Sequence, residues 1–199
     1  MALRTFVKVS GINNLSDARY CAGMEVNQLG FEIEDGATNY TDIQKFKEIS
    51  EWLSGVEYVG EITSNNKAIK DLIEGYQLDA VQIENIDQIG EALNTGLAVS
   101  FLAHSIESTQ KAWEASGQKL AYVLFDSSEV NDHALQALAN EIPIVLAAGF
   151  DAETVTELAK SKLKGIAIQG GNEIRPGYKD FDEMADILES LEIDDLTDE

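Results

Sequence analysis

The chain has 199 residues, 44% of them apolar, and sets 36 acidic side chains against 14 basic ones for a formal net charge of −22. That balance excludes nucleic acid as a partner, since affinity for a phosphate backbone comes mostly from Lys and Arg; the single cysteine, Cys21, excludes an internal disulfide and a zinc site built on several thiolates. No apolar run approaches the ~20 residues that span a bilayer and no stretch has the make-up of a signal peptide, so a cytoplasmic protein with no membrane partner is expected.

Along the chain, apolar strand-like runs alternate with amphipathic helix-like runs without a Pro- or Ser-rich linker, the pattern of βα units on a parallel sheet. Strands are predicted over 6–10, 28–33, 58–62, 80–84, 98–102, 121–126, 144–147 and 165–169. Asn14 stands three residues before Asp17 and Thr41 three before Gln44, so each is a predicted helix cap. Ile43, Phe46, Ile49 and Leu53 then recur at helical spacing, as in a helix packed outside a sheet. Asp87 and Asp151 read as further caps, with Ile86, Ile89 and Leu93 the inner stripe of the fourth helix.

Eight strands is the count of a closed barrel, and 199 residues against the about 250 typical of that fold requires lean loops. The predicted fold is α/β: a compact single-domain (β/α)8 TIM barrel over 1–192, followed by 193–199 as an acidic disordered tail. The competing open, doubly wound sheet usually carries G-x-G-x-x-G after its first strand. Here Ser10-Gly11-Ile12-Asn13 has no second glycine in place.

Two glycine-bearing turns follow the last two predicted strands, Ala147-Ala148-Gly149-Phe150 and Gln169-Gly170-Gly171-Asn172. Side by side at the C-terminal ends of neighbouring strands, they would form the phosphate cradle that barrels build after strands seven and eight, or else serve only as tight turns. Gly149, Gly170 and Gly171 are the candidate phosphate-binding residues, and a phosphorylated small molecule is the expected ligand. The net charge does not veto this, because backbone amides and helix N-termini supply a local field.

The opening Phe6-Val7-Lys8-Val9-Ser10-Gly11-Ile12-Asn13-Asn14 with Asp17-Ala18, then Gln28-Leu29-Gly30-Phe31, Val81-Gln82-Ile83, Leu124-Phe125-Asp126-Ser127, Ala148-Gly149-Phe150 and Arg175-Pro176-Gly177-Tyr178-Lys179-Asp180, together resemble the phosphoribosylanthranilate isomerase family. The likeness runs in order over nearly the whole chain, which looks like a divergent member. It implies an Amadori rearrangement in tryptophan biosynthesis, from N-(5-phosphoribosyl)anthranilate to the aminoketose, with no cofactor and no metal. A general acid must protonate the ribose ring oxygen and a general base must take the C2 proton. The family's acid falls on Asp126.

The base position departs from the family pattern: relatives carry a cysteine where this chain has Ser10. A thiol reaches a useful anionic fraction near neutrality, whereas a serine hydroxyl needs an adjacent base. The family's substrate-contacting arginine aligns with Asn39, its histidine after Gln82-Ile83 with Glu84, an inward aspartate with Ala167, and a small hydroxyl residue with Gln169. Lys8, Asn39, Gln82 and Glu84 are thus the candidate substrate-binding residues and Asp126 and Ser10 the candidate catalytic ones.

Residues two apart on a strand share a face, so Lys8 goes with Ser10, Gln82 with Glu84, and Leu124 with Asp126. If Ser10, Glu84 and Asp126 face one mouth, Glu32 and Glu61 either join them in a carboxylate cluster containing the base or lie on a solvated rim. Lys8, inside a strand, needs a partner such as Asp126 or Glu84. Cys21 reads as core, His104 and His133 as surface. Two functions stay open: an isomerase, acting as monomer or homodimer, or a catalytically impaired relative that binds a phosphorylated metabolite or serves as a structural partner.

Overall fold

The computed structural model describes residues 2–64, 67–127, 132–170, 173–175, 178–179 and 182–193. Eight parallel strands close on themselves in chain order: β1 (Phe6–Ser10), β2 (Gln28–Glu32), β3 (Glu57–Ile62), β4 (Ala80–Ile83), β5 (Ala98–Ala103), β6 (Tyr122–Phe125), β7 (Ile144–Leu146) and β8 (Gly165–Gln169). β8 pairs with β1 in register from Phe6 opposite Gly165 to Ser10 opposite Gln169, which completes the barrel. Helices α1 (Leu15–Gly23), α2 (Ile43–Ser50), α3 (Ile69–Ile73), α4 (Ile89–Leu93), α5 (Ile106–Ala115), α6 (Asp132–Leu138), α7 (Val155–Leu158) and α8 (Asp182–Ser190) connect the strands and follow the last. Between β8 and α8 lies a short antiparallel pair, β9 (Glu173–Arg175) with β10 (Tyr178–Lys179), that the sequence pattern does not announce.

Strand alternation divides the buried side chains between two regions. Val7, Val9, Leu29, Phe31 and Val81 pack outward against helix residues such as Phe46, Ile49, Leu72 and Ala112. Inside the barrel a smaller apolar cluster, Tyr122, Leu124, Val145 and Ala167, leaves the remaining volume to Lys8, Gln28, Glu61, Gln82 and Ser100, all buried. Gln28 accepts from the Tyr122 hydroxyl at 2.7 Å across the barrel and donates to Glu57 at 2.8 Å. Burial pushes the Tyr122 phenol well above its ordinary range, so it remains a donor. N- and C-terminal segments meet where Arg4 N–H donates to the Leu191 carbonyl and Ile193 N–H to that of Ala2. Residues 194–199, most of the expected acidic tail, lie outside the described residues.

Several local expectations need correction. Asp42, not Thr41, caps α2 by accepting from Lys45 N–H at 2.9 Å; Thr41 is fully buried and donates its hydroxyl to the carbonyls of Ile12 and Asn39. Asn85, not Asp87, caps the turn before α4, and that turn is a 3₁₀ segment, Ile86–Gln88. Its three-residue period rotates Ile86 out of the apolar stripe to 36% exposure, while Ile89 stays buried. Asn14 and Asp151 do accept from the backbone amides of their first turns. Among the described residues no helix is long and apolar enough to cross a membrane.

The Tyr122–Gln28 bond predicts the cost of its loss. Tyr122→Phe strands a buried amide oxygen and should lower unfolding free energy by about 1–2 kcal/mol in urea titrations. An unchanged midpoint would mean that this bond does not hold the barrel interior together.

Candidate active site

A cavity of about 540 Å³ opens at the C-terminal ends of the strands. Its wall takes Ser10 from β1, Glu32 from β2, Glu61 from β3, Gln82 from β4, Leu102 from β5 and Leu124 from β6. Ala147 and residues 167–169 close the far side, Asp126 stands just past β6, and Glu34 and residues 36–38 form the overhanging loop. Ser10 and Asp126 therefore share one cavity, as the sequence reading required.

Lys8 lies beneath this wall with no solvent exposure, and its ammonium meets three acceptors: Ser10 Oγ at 3.0 Å, Glu61 Oε1 at 2.5 Å and Gln82 Oε1 at 2.5 Å. The expected partners, Asp126 and Glu84, are not the ones it finds. Alternation told which face Lys8 occupies, but a long side chain reaches across the interior, and the carboxylate it reaches belongs to β3. Glu61 is 6% exposed rather than a solvated rim residue, and its second oxygen accepts from Gly11 N–H at 3.1 Å. The carboxylate rests over Gly30, where a Cβ would collide with it.

The second-strand end is held differently. Glu32 accepts from Asn39 N–H at 2.8 Å and from its side-chain amide at 3.0 Å, and Asn13 donates to the Asn39 side-chain oxygen at 3.1 Å. Asn39 is thus fixed behind the cavity wall rather than on it. Glu34, which the sequence reading missed, accepts from Thr63 N–H and Ser64 N–H at 2.6 and 2.8 Å and from both hydroxyls. Burial opposes its ionisation, but the donated hydrogen bonds of Ser64 and Thr63 outweigh that and hold the carboxyl below its ordinary range. Its only sequence signal was an acid two residues past Glu32, where the strand pattern was already fading.

Glu84 leaves the cavity. β4 ends at Ile83 and the chain turns at Asn85, so alternation no longer applies and Glu84 lines a separate, open depression beside Thr63, Ser64, Asn85 and Lys111. There its carboxylate meets His104 Nε2 at 3.1 Å, while His104 Nδ1 lies 3.0 Å from the Asp126 carbonyl and 3.7 Å from its carboxylate. The backbone carbonyl of Asp126 is the main cause that raises the His104 pKa; burial opposes it, and Glu84 and the Asp126 carboxylate add to it. His104 is 53% exposed, a surface residue that nonetheless ties the Glu84 and Asp126 turns together.

A smaller hollow of about 200 Å³ adjoins the cavity between the β7 and β8 turns and α8, lined by Ala147, Ala148, Phe150 and residues 167–169, with Glu183, Met184 and Ile187. Gly149 takes φ +82°, a conformation that favours glycine. Gly170 has another use than the expected one: its N–H donates to the Ser10 carbonyl at 2.8 Å, fastening the β8 turn to β1, so it is not a spare phosphate donor. Gly171 lies outside the described residues. Cys21 is buried against Met184, as expected of a core thiol. Among the described residues no group of three or more His, Cys, Asp or Glu side chains is arranged to hold a metal ion.

This is a (β/α)8 barrel with its polar cavity at the C-terminal face, the end at which enzymes of this fold do their chemistry. The family model for N-(5'-phosphoribosyl)anthranilate isomerase matches residues 7–190, and the chain belongs to that family. It is 24% identical to N-(5'-phosphoribosyl)anthranilate isomerase of Caldanaerobacter subterraneus subsp. tengcongensis, covering 93% of this chain and 97% of the relative. The enzyme of the same name from Synechococcus sp. (strain JA-2-3B'a(2-13)) is 26% identical over 94% of this chain and 91% of its own. A crystal structure of phosphoribosylanthranilate isomerase in complex with reduced 1-(o-carboxyphenylamino)-1-deoxyribulose 5-phosphate superposes with a TM-score of 0.75 at 23% identity, covering 94% of this chain and 98% of that one. The Thermus thermophilus enzyme gives 0.75 at 22% identity over the same shares. At these identities the superpositions establish the fold.

His104 gives the site a measurable titration. Its folded pKa is raised, so the stability it contributes is complete below its unfolded value of about 6.5 and is lost as pH rises through the folded value. In NMR titrations His104 should have its midpoint above about 6.5, and Glu84→Gln should move that midpoint down without erasing the elevation, because the Asp126 carbonyl remains. A midpoint indifferent to Glu84 would contradict the arrangement.

Proposed function

We propose that this chain catalyses the Amadori rearrangement of N-(5'-phosphoribosyl)anthranilate to 1-(o-carboxyphenylamino)-1-deoxyribulose 5-phosphate. The observation that carries the reading is the convergence of Asp126 and Ser10 on one cavity, in a chain whose match to the isomerase family spans 7–190. Asp126, partly solvated beyond β6, protonates the ribose ring oxygen, and the sugar opens to an iminium at C1. The C2 proton then leaves towards the Ser10 side. Carboxylates of Glu32, Glu34 and Glu61 around the cavity favour the positive charge that develops at C1–N in the iminium over the uncharged N-glycosidic centre of the ring form.

Proton transfers suffice for each step, so the reaction calls for no cofactor. The phosphate belongs at the β7 and β8 turns, beside Gly149. Glu183 on that wall makes the hollow less welcoming to an anion than backbone amides alone would. Gln82 faces the sugar from the cavity wall, whereas Lys8, sealed beneath it and engaged by Ser10, Glu61 and Gln82, is not the substrate-binding residue expected but supports those that line the cavity. Every group invoked belongs to one chain, so a monomer and a homodimer would both serve.

One observation favours a second reading. Asn39 stands where the family resemblance calls for an arginine, and Glu32 holds it, so the anthranilate carboxylate has no cation to meet there. A family member that binds a phosphorylated metabolite without turning over this substrate would look the same at that position.

Complementation of a tryptophan auxotroph lacking the isomerase separates the two. The native protein should rescue growth, and Asp126→Asn should abolish rescue, with kcat in vitro lower by about 10²–10⁴-fold. Asn39→Arg combined with Glu32→Gln should lower KM. Rescue only after Ser10→Cys and Asn39→Arg would favour the binding protein instead.

A further inference from the structure

The buried pair of Lys8 and Glu61 is poorly explained by stability. Taking both charges out of water costs several kcal/mol per ion, and an apolar pair of similar volume commonly serves a barrel interior as well or better. Yet this pair is built with care: Lys8 has an acceptor for each of its three N–H groups, Glu61 has Gly11 N–H on its other oxygen, and Gly30 lacks the Cβ that would displace the carboxylate. Both ends of the chain of contacts, Ser10 and Glu61, also form part of the cavity wall.

We infer that Ser10, Lys8 and Glu61 form a proton relay that serves as the general base, with Glu61 the final acceptor. The inference rests on the isomerase reading above and supplies what that reading lacks, a partner able to make a serine hydroxyl basic. When the C2–H bond of the iminium breaks, its electron pair becomes the C1–C2 double bond and the C1–N π pair returns to nitrogen. The proton goes to Ser10 Oγ, the Ser10 proton to Lys8 Nζ, and one Lys8 proton to Glu61 Oε1, the amine turning about Cε–Nζ to offer its lone pair to Ser10. Ser10 and Lys8 end as they began, and Glu61 ends protonated.

Charge moves little in this step. The reacting C1–N centre goes from +1 to neutral, the phosphate and carboxylate of the substrate being unchanged, while the Lys8–Glu61 pair goes from neutral to +1, so a positive charge shifts a short way inside a wall that also holds Glu32, Glu34 and Asp126. The environment that favours the iminium therefore also favours the state that follows it. On ketonisation the C2 hydroxyl proton passes to the Asp126 carboxylate, and the stored proton returns from Glu61 through Lys8 and Ser10 to C1. Both carboxyl groups are then reset, and protons balance over the cycle.

The test is steady-state kinetics with N-(5'-phosphoribosyl)anthranilate across pH 6–9 on purified variants whose folding is checked by circular dichroism. Glu61→Gln keeps an oxygen for Lys8 and removes only the final acceptor; kcat should fall by about 100-fold or more with KM within about threefold. Ser10→Ala, a small change that leaves the ion pair intact, should fall comparably and decides the matter if Glu61→Gln does not fold. Adding Ser10→Cys to Glu61→Gln should restore about tenfold of the loss, with activity rising towards pH 8.5 as thiolate forms, a limb the native enzyme lacks. Folded Glu61→Gln or Ser10→Ala with native kcat would overturn the relay alone. A folded native protein without turnover would overturn the isomerase reading and the relay with it.

Discussion

An ammonium group sealed inside the barrel sets the terms on which this cavity is built. Lys8 has no exposure to water, so its charge must be met by protein atoms, and an unmet charge there would cost more than a small domain can spare. The three acceptors come from β1, β3 and β4, which are brought within reach of one nitrogen only because the sheet closes. Closure depends in turn on β8 pairing along the whole of β1, and the Gly170 amide on the Ser10 carbonyl extends that pairing one residue into the loop. Barrel, ion pair and cavity wall are one construction.

The same constraint explains how a strongly acidic protein can present a polar cavity whose described lining residues include no free cation. The cavity wall carries Glu32, Glu34, Glu61 and Asp126, while Lys8 is already engaged below. Glu34 is consumed by the Thr63–Ser64 turn and Glu32 by Asn39, so each of these carboxylates has a local structural partner. Asp126 is the one that stands at the rim with a histidine beside it. A cavity of this kind favours developing positive charge, as on a ring-opened imine, and under the proposed function an anionic phosphate would have to be met by backbone groups at the β7 and β8 turns.

Much of the fold was legible in the sequence because a parallel barrel writes short, nearly uninterrupted apolar runs that end abruptly. β1 and β8 match their expected bounds, and the disagreements elsewhere lie at strand ends, where pairing rather than composition decides the last residue. Glu84 illustrates the limit: it continues the alternation of Gln82 in the sequence, but β4 stops at Ile83 and the side chain turns away to His104. Thr41 and Asp42 were exchanged as caps because both residue types qualify and only the burial of Thr41 under the β1 loop separates them. Ser10, Gln82 and Asp126 were placed in the cavity correctly. The partner of Lys8 was not, since a sequence fixes the face a side chain occupies but not which strand lies across the interior from it.

The central claim is that one cavity holds a phosphorylated, ring-opened sugar between Ser10 and Asp126. Its most direct test is a crystal structure with reduced 1-(o-carboxyphenylamino)-1-deoxyribulose 5-phosphate, the compound found in the structural relative. The account requires the phosphate against the β7 and β8 turns beside Gly149, with the sugar carbons between the Ser10 hydroxyl and the Asp126 carboxylate. A phosphate lodged beside Glu32 and Glu34, or a ligand bound outside the barrel mouth, would contradict it.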